Sequence, residues 1–138
     1  METKFESQVR EIPYPQQIVY DTVSDLTNME RVKERMPEDK IQEFTFDHDS
    51  LSVEVSPVGR ITLRIIEREE PKCVKFETAE SPLPFFFWIQ LLPVTDHSCK
   101  MRLTIKTDLN PFMKTVVAGP LKDALEKMAD IIAGIKYV

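Results

Sequence analysis

The sequence predicts an α+β domain: a curved antiparallel sheet of about seven strands wrapped around one long C-terminal helix, with two short helices between the first strand and the second. Three observations point there. The first is the order of parts: a strand-like run (Lys4–Ile12), a Pro-started helical stretch (Tyr14–Met36), about six strand-like runs between Ile41 and Thr107, and a long apolar-faced helix (Pro111–Lys136). The second is the even spacing of short strands joined by brief turns, which is the pattern of an antiparallel meander. The third is that the strands alternate so as to leave one face apolar, and the terminal helix carries a stripe that can cover it.

Taken in order, Lys4-Phe5-Glu6-Ser7-Gln8-Val9-Arg10 alternates as a half-buried strand should, and Pro13 and Pro15 stop it. Pro15 suits the first helical position, where a missing N–H is harmless. Ile18, Val19, Val23 and Leu26 recur at helical spacing. Asn28 is placed to cap a second short helix from Met29 to Met36, which Pro37 ends. Strands are expected at Ile41–Phe46, Leu51–Val55, Arg60–Arg68, Cys73–Thr78, Phe85–Leu92 and Cys99–Thr107, separated by turn chemistry such as Asp47-His48-Asp49-Ser50 and Glu69-Glu70-Pro71-Lys72. Asn110-Pro111 starts the last helix, and Leu121, Leu125, Met128, Ile132 and Ile135 form its stripe. Gly119-Pro120 interrupts that helix, so a kink is expected there, with a gate over a pocket as one use for it.

At 138 residues the chain reads as a single domain, 1–138, able to bury a core without disulfides or metal. Its net charge of −5 argues against nucleic acid and anionic membrane surfaces, which call for basic stripes. The longest apolar run, Leu83–Leu92, is far short of the ~20 residues a membrane-spanning helix needs. No stable membrane insertion is expected. Cys73 and Cys99 fall on strands separated by a third, roughly 9–10 Å apart, beyond the ~7 Å a disulfide tolerates. Both read as reduced thiols. Together with an N-terminus lacking a basic-then-apolar signal, they make a cytoplasmic protein the default expectation.

The period of two gives each strand two faces. One face carries Leu51, Val53, Val55, Ile61, Leu63 and Ile65, continued by Val74, Phe76, Thr78, Met101, Leu103, Ile105 and Thr107. The other carries Arg60, Thr62, Arg64 and Arg68, with Lys75, Glu77, Lys100, Arg102, Thr104 and Lys106. The inward set holds no Asp, Glu, His, Lys or Arg. Acid–base chemistry needs a titratable group in the pocket, and a nucleophile needs an activating base; aliphatics, Phe, Met and Thr offer neither and suit binding instead. Phe85 to Leu92 is apolar on both faces, so either Phe85/Phe87/Ile89 or Phe86/Trp88 points inward. The remaining row lies among charges, covered by Lys and Arg stems or marking a contact surface. The candidate ligand-binding residues are therefore Val53, Leu63, Ile65, Phe76 and Thr78; Phe85, Phe87 and Trp88; Met101, Leu103 and Ile105; and, from the helices, Tyr20, Phe112, Val116 and Pro120.

No catalytic residue, metal ligand or cofactor is assigned. His48 and His97 are the only histidines, and both fall in turns. Asp47-His48-Asp49 lacks the three or four convergent ligands of a structural metal site. Cys73 and Cys99 lack CxxC spacing, Glu69-Glu70 sits at a turn, and no Gly-rich phosphate loop exists among three glycines.

The β–αα–β6–α order resembles the START-like, or SRPBCC, helix-grip proteins, which include polyketide cyclases and dehydratases, plant pathogenesis-related allergens and lipid-transfer domains. The carriers are EIPYPQQIVYDTVSDL (Glu11–Leu26) and LNPFMKTVVAGPLKDALEKMADII (Leu109–Ile132). The resemblance implies an elongated pocket between sheet and C-terminal helix in a START-like domain. It does not transfer an activity, since one fold hosts many functions.

Three functions compete. The first, preferred, is a non-enzymatic binder or carrier of a small hydrophobic molecule (lipid, isoprenoid or polyketide-like). The second is a cyclase or dehydratase, which would need Tyr14, Tyr20 or Arg64, or Lys114, to project inward. The third is an interaction module that fills its pocket with its own aromatic residues and makes a homodimer or partner contact.

Overall fold

In a computed structural model of the chain, residues 2–30, 45–55, 59–80 and 84–137 are described, and the fold is given for these. The strands are β1 (Glu2–Glu6), β2 (Arg10–Ile12), β3 (Thr45–Phe46), β4 (Ser50–Val55), β5 (Gly59–Glu69), β6 (Cys73–Glu80), β7 (Phe85–Thr95) and β8 (Ser98–Asp108). The helices are α1 (Gln16–Val23), a 3-10 turn (Leu26–Met29) and α2 (Pro111–Ala133). All strands join one antiparallel sheet in the order β1-β8-β7-β6-β5-β4-β3, with β2 also pairing β8. This is the helix-grip architecture: a meander from β3 to β8, closed by the first strand and spanned by α2. The part beyond Glu30 of the second short helix expected at Met29–Met36, and residues 41–44 of the next expected strand, lie outside the described residues.

Two local features depart from the expected pattern. The first strand is split. Its two halves pair with β8 through Phe5↔Ile105 and Arg10↔Met101. Between them, Ser7 donates its N–H to Leu103 O (2.9 Å) and accepts the Leu103 N–H on Oγ (2.9 Å), so a side chain replaces part of the ladder. The second departure is in β5, where the register against β6 slips between Ile65 and Glu67. Before the slip, Arg64 lies opposite Glu77 on the outer face; after it, Arg68 lies opposite the fully buried Val74. The extra residue exposes Ile66 and turns Arg68 to the inner side, which corrects the outward placement predicted for it. There Arg68 donates to Ser24 O (3.0 Å) and Asp49 Oδ1 (2.7 Å).

The core follows the pleat. Ile61, Leu63, Val74, Phe76, Phe87, Ile89, Leu91, Met101 and Leu103 are buried from the sheet. From α2 come Leu125, Ala129 and Ile132, and just beyond the helix Ile135 and Tyr137. Ala129 lies deeper than Met128, which is only partly buried, so the stripe departs from the predicted line at that one position and keeps Leu121, Leu125, Ile132 and Ile135. The N-terminal part of α2 makes a separate small cluster, with Val117 and Leu121 packed on Leu109, Phe5 and Met113. Asn110 caps it by accepting from Met113 N (2.8 Å), and Pro111 opens the first turn. Gly119-Pro120 does not end the helix, which continues unbroken to Ala133.

A polar clamp fixes α2 to the split strand. Glu126 Oε1 accepts from Gln8 N (2.9 Å) and faces Arg10 (3.4 Å), whose Nε also reaches Asp130 Oδ1 (2.9 Å). Lys122 donates to the Glu6 carbonyl. At the same end α1 plugs the grip with Val19, Tyr20 and Val23. The cap of the 3-10 turn is Asp25: its carboxylate accepts from Thr27 N (3.0 Å), while Asn28 donates to Thr22 O (3.1 Å).

Replacing Leu125 (1% exposed) by Ala should cost about 2–5 kcal/mol through lost burial and the cavity left behind, read from urea unfolding midpoints. A second expectation concerns acid. Hydrogen bonds from Thr27, with His48 beside it, hold the Asp25 carboxyl below its ordinary range. The Asp49 and Ser50 N–H groups do the same for Asp47. A folded value below the unfolded one means the contribution is complete above pH about 4 and is lost as pH falls through the folded value. Asp25→Asn should therefore be less stable than the wild type near neutral pH. The gap should close as the medium is acidified, in urea titrations run across the pH range.

Candidate functional site

The two ends of the grip differ. The end holding α1 is closed: Leu26 N bonds His48 O (3.1 Å), Gln16 Nε2 bonds Leu91 O (3.2 Å), and Tyr14 meets Tyr137 edge-on at 5.4 Å. At the other end the strands β6 and β7 part company. Their last shared rung is Glu77↔Phe86; beyond it Thr78 pairs only with Leu63 of β5, and Phe85 only with Thr107 of β8. Two hydroxyls span the resulting notch. Thr78 Oγ1 accepts from Phe85 N (3.2 Å), and Thr107 Oγ1 donates to Pro84 O (2.8 Å). Gly59, at the start of β5 on this same end, has φ 106°, a turn conformation that residues with a Cβ rarely adopt.

A cavity of about 400 Å³ occupies the notch. Thr78, Phe85 and Thr107 contribute from the inner face, and Glu77, Phe86 and Lys106 from the outer one. Glu2, Pro84 and Asp108 complete the rim. The walls are mainly carbon from two rings and a proline, with hydroxyls at the throat and charges at the lip. Lys106 lies 3.8 Å from Glu2, and Arg64 binds Glu77 at 2.5 Å. The volume lies within the roughly 300–1,000 Å³ of small-molecule sites.

The predicted ligand-binding residues divide by position. Thr78 and Phe85 line the notch. Leu63, Phe76, Phe87, Met101, Leu103 and Ile105 are on the inner face as predicted, but their exposures of 0–7% make them packed core rather than open wall. Phe76 and Phe87 stack against one another at 5.3 Å. Ile65 is half-buried and packs against the same core, and Val53 sits opposite Ile61 in the β4–β5 ladder. Tyr20 is core at the closed end, where burial pushes its hydroxyl pKa up, helped by Glu70. Three placements are corrected. Trp88 lies on the outer face, opposite Lys75 and Thr104, because Phe85, Phe87, Ile89 and Leu91 form the inward row. Phe112 and Val116 are 74% and 42% exposed, because Val117 and Leu121, one residue or about 100° around the helix, take the inward positions. Half-buried Pro120 shares their stripe.

The groups on which an enzymatic reading rested are engaged elsewhere. Arg64 is on the outer face with Glu77, Tyr14 packs on Tyr137, Tyr20 is in the core and Lys114 is exposed. The inner side is not wholly free of charge, since Arg10 and Arg68 stand at its margins, each paired with carboxylates. The sequence held no sign of this, because the strand break and the bulge that turn them inward leave no mark in composition. Both thiols are free; burial first, then Glu69 and Glu67, pushes Cys73 up to about 11, and burial alone raises Cys99. Among the described residues no group of three or more His, Cys, Asp or Glu is arranged to hold a metal, and no helix is long and apolar enough to cross a membrane.

The same architecture recurs in solved structures. A point mutant of norcoclaurine synthase from Thalictrum flavum in complex with a transition-state analogue superposes with a TM-score of 0.74 at 17% identity, over 96% of this chain and 92% of that one. A protein from Thermobifida fusca gives 0.67 at 14%, over 94% and 90%. A START superfamily protein from Mycobacterium smegmatis gives 0.57 at 10%, over 92% and 98%. At these identities the likeness establishes fold alone. In sequence, residues 3–133 match the family described as "Polyketide cyclase / dehydrase and lipid transport". No curated protein matches the chain.

Thr107→Val keeps the shape of a 5%-exposed residue and removes the bond to Pro84 O. It should lower stability by about 1 kcal/mol. Amide exchange at Phe85 should quicken if the two hydroxyls hold the notch together.

Proposed function

Since the chain belongs to the polyketide cyclase/dehydrase and lipid transport family, we propose that it binds a small, largely apolar molecule at the open end of its grip and works by holding it. The observation that carries this reading is the notch between β6 and β7, a cavity of about 400 Å³ walled by Pro84, Phe85 and Phe86 with two threonine hydroxyls at its throat. Covering apolar ligand surface is worth about 25 cal/mol per Å² before ordering costs, so the aromatic walls supply affinity and the hydroxyls orientation. Thr107 Oγ1 already donates to Pro84 O and can still accept, while Thr78 Oγ1 already accepts from Phe85 N and can still donate. Together they offer one donor and one acceptor to a ligand carbonyl or hydroxyl. The protein is read as a cytoplasmic binder or carrier.

A second reading has its own observation. The Phe76–Phe87 pair and its neighbours leave the middle of the grip filled, which suits an interaction module that needs no ligand.

Thermal unfolding with long-chain alcohols, isoprenols and naphthols decides between the two. Binding at a hundred times the dissociation constant should stabilise the fold by about 2.7 kcal/mol, a shift of roughly 5–10 °C for a chain of this size. Trp88 emission should change too, since its ring lies 6.1 Å from Phe86. No shift with any of the classes, and no retained small molecule in native mass spectra of fresh protein, would reject the binder.

A further inference from the structure

We propose that the ligand of the notch is uncharged and carries two polar groups, set about four to five carbons apart on one apolar body, the first accepting from Thr78 and the second donating to Thr107. This rests on the binding reading above and narrows it to a class, diols and hydroxy-carbonyl compounds. The two hydroxyls hold opposite sides of a single peptide unit. Thr107 Oγ1 donates to its carbonyl, Pro84 O (2.8 Å), and Thr78 Oγ1 accepts from its amide, Phe85 N (3.2 Å). The unit is trans, so its C=O and N–H point in opposite directions. The hydroxyl oxygens therefore stand roughly 7–8 Å apart. One ligand group can bridge two oxygens only up to about 6 Å apart, two hydrogen-bond lengths end to end. Both threonines line the cavity, so full use of the throat calls for two ligand groups. Their senses follow from the bonds already made. Thr107 has given its proton to Pro84 O and accepts; Thr78 keeps its proton to donate. A lone hydroxyl would satisfy one of the two and leave the other desolvated against carbon, which is costly. The rim favours neither sign of charge. Glu2, Glu77 and Asp108 line it, and Lys106, Arg64 and Lys75 stand against them. Lys106 lies 3.8 Å from Glu2, Arg64 binds Glu77, Asp108 has a partner, and Lys75 covers the Phe86 ring at 4.8 Å. Three carboxylates thus meet three cations, and neither an ammonium nor a carboxylate head finds a net field to offset its lost hydration.

Decane-1,5-diol and decane-1,2-diol are isomers that differ only in hydroxyl spacing, and decanol, decylamine and decanoate vary the head on the same chain. Calorimetric titration of the five at neutral pH tests the inference. The 1,5-diol should bind about fivefold tighter than the 1,2-diol, the size of one added neutral hydrogen bond, and decylamine and decanoate should both be weaker than decanol. Thr78→Val and Thr107→Val should each bring the two diols to within about twofold of one another. Thr78→Ser and Thr107→Ser, which keep the hydroxyl, should preserve the preference. Thr115→Val, the same change at an exposed position of α2, should leave it intact. Equal binding of the isomers, a preference that survives both valine variants, an equal loss from Thr115→Val, or tightest binding of either charged head would overturn the two-point neutral ligand while decanol binding upheld the cavity. Failure of all five to bind would remove both.

Discussion

The seating of α2 on the first strand and β8 governs the rest of the molecule. An alternating sheet leaves one greasy face, and Leu121, Leu125, Ala129 and Ile132 bury against it or its margin. Each large side chain so buried is worth about 1.5–3 kcal/mol. Burial alone is non-directional and would tolerate sliding. The Glu126 and Asp130 carboxylates, the Arg10 guanidinium and the Lys122 ammonium remove that freedom, since each has a partner at one point of the strand break. Apolar area supplies the attraction and the clamp supplies the register.

Fixing α2 in this way also decides where ligand chemistry can reside. The helix, α1 and the Tyr14–Tyr137 pair close one end and fill the middle with interlocking side chains. Space is left where the ladder itself fails, between the end of β6 and the start of β7. A sheet normally satisfies its peptide groups strand to strand. At the notch two threonines do so from the side, which permits the strands to separate without orphaned amides. The cavity is thus a by-product of hydrogen-bond substitution rather than of a thinned core.

Most of the architecture was legible in the sequence, because period-two alternation is a strong signal and Pro, Gly and Asp-rich turns punctuate it. Leu63, Phe76, Met101 and Leu103 fell on the inner face for that reason. The site was less legible. Phe85 to Leu92 is apolar at every position but Gln90, so alternation could not say which row turns inward; the β8 register decides it. A helical stripe read from spacing could not tell Phe112 and Val116 from Val117. The notch depends on where the β6–β7 ladder stops, at Glu77↔Phe86, and nothing in composition records it.

The slip at Ile66 bears on how such a strand can change over time. One added residue lets a single strand send Arg64 outward to Glu77 and Arg68 inward to Ser24 and Asp49. Whether a guanidinium faces water or the interior is settled there by chain length and not by residue choice. A three-nucleotide insertion or deletion in that strand could thereby rewire the lining of this scaffold without altering a single side chain on it.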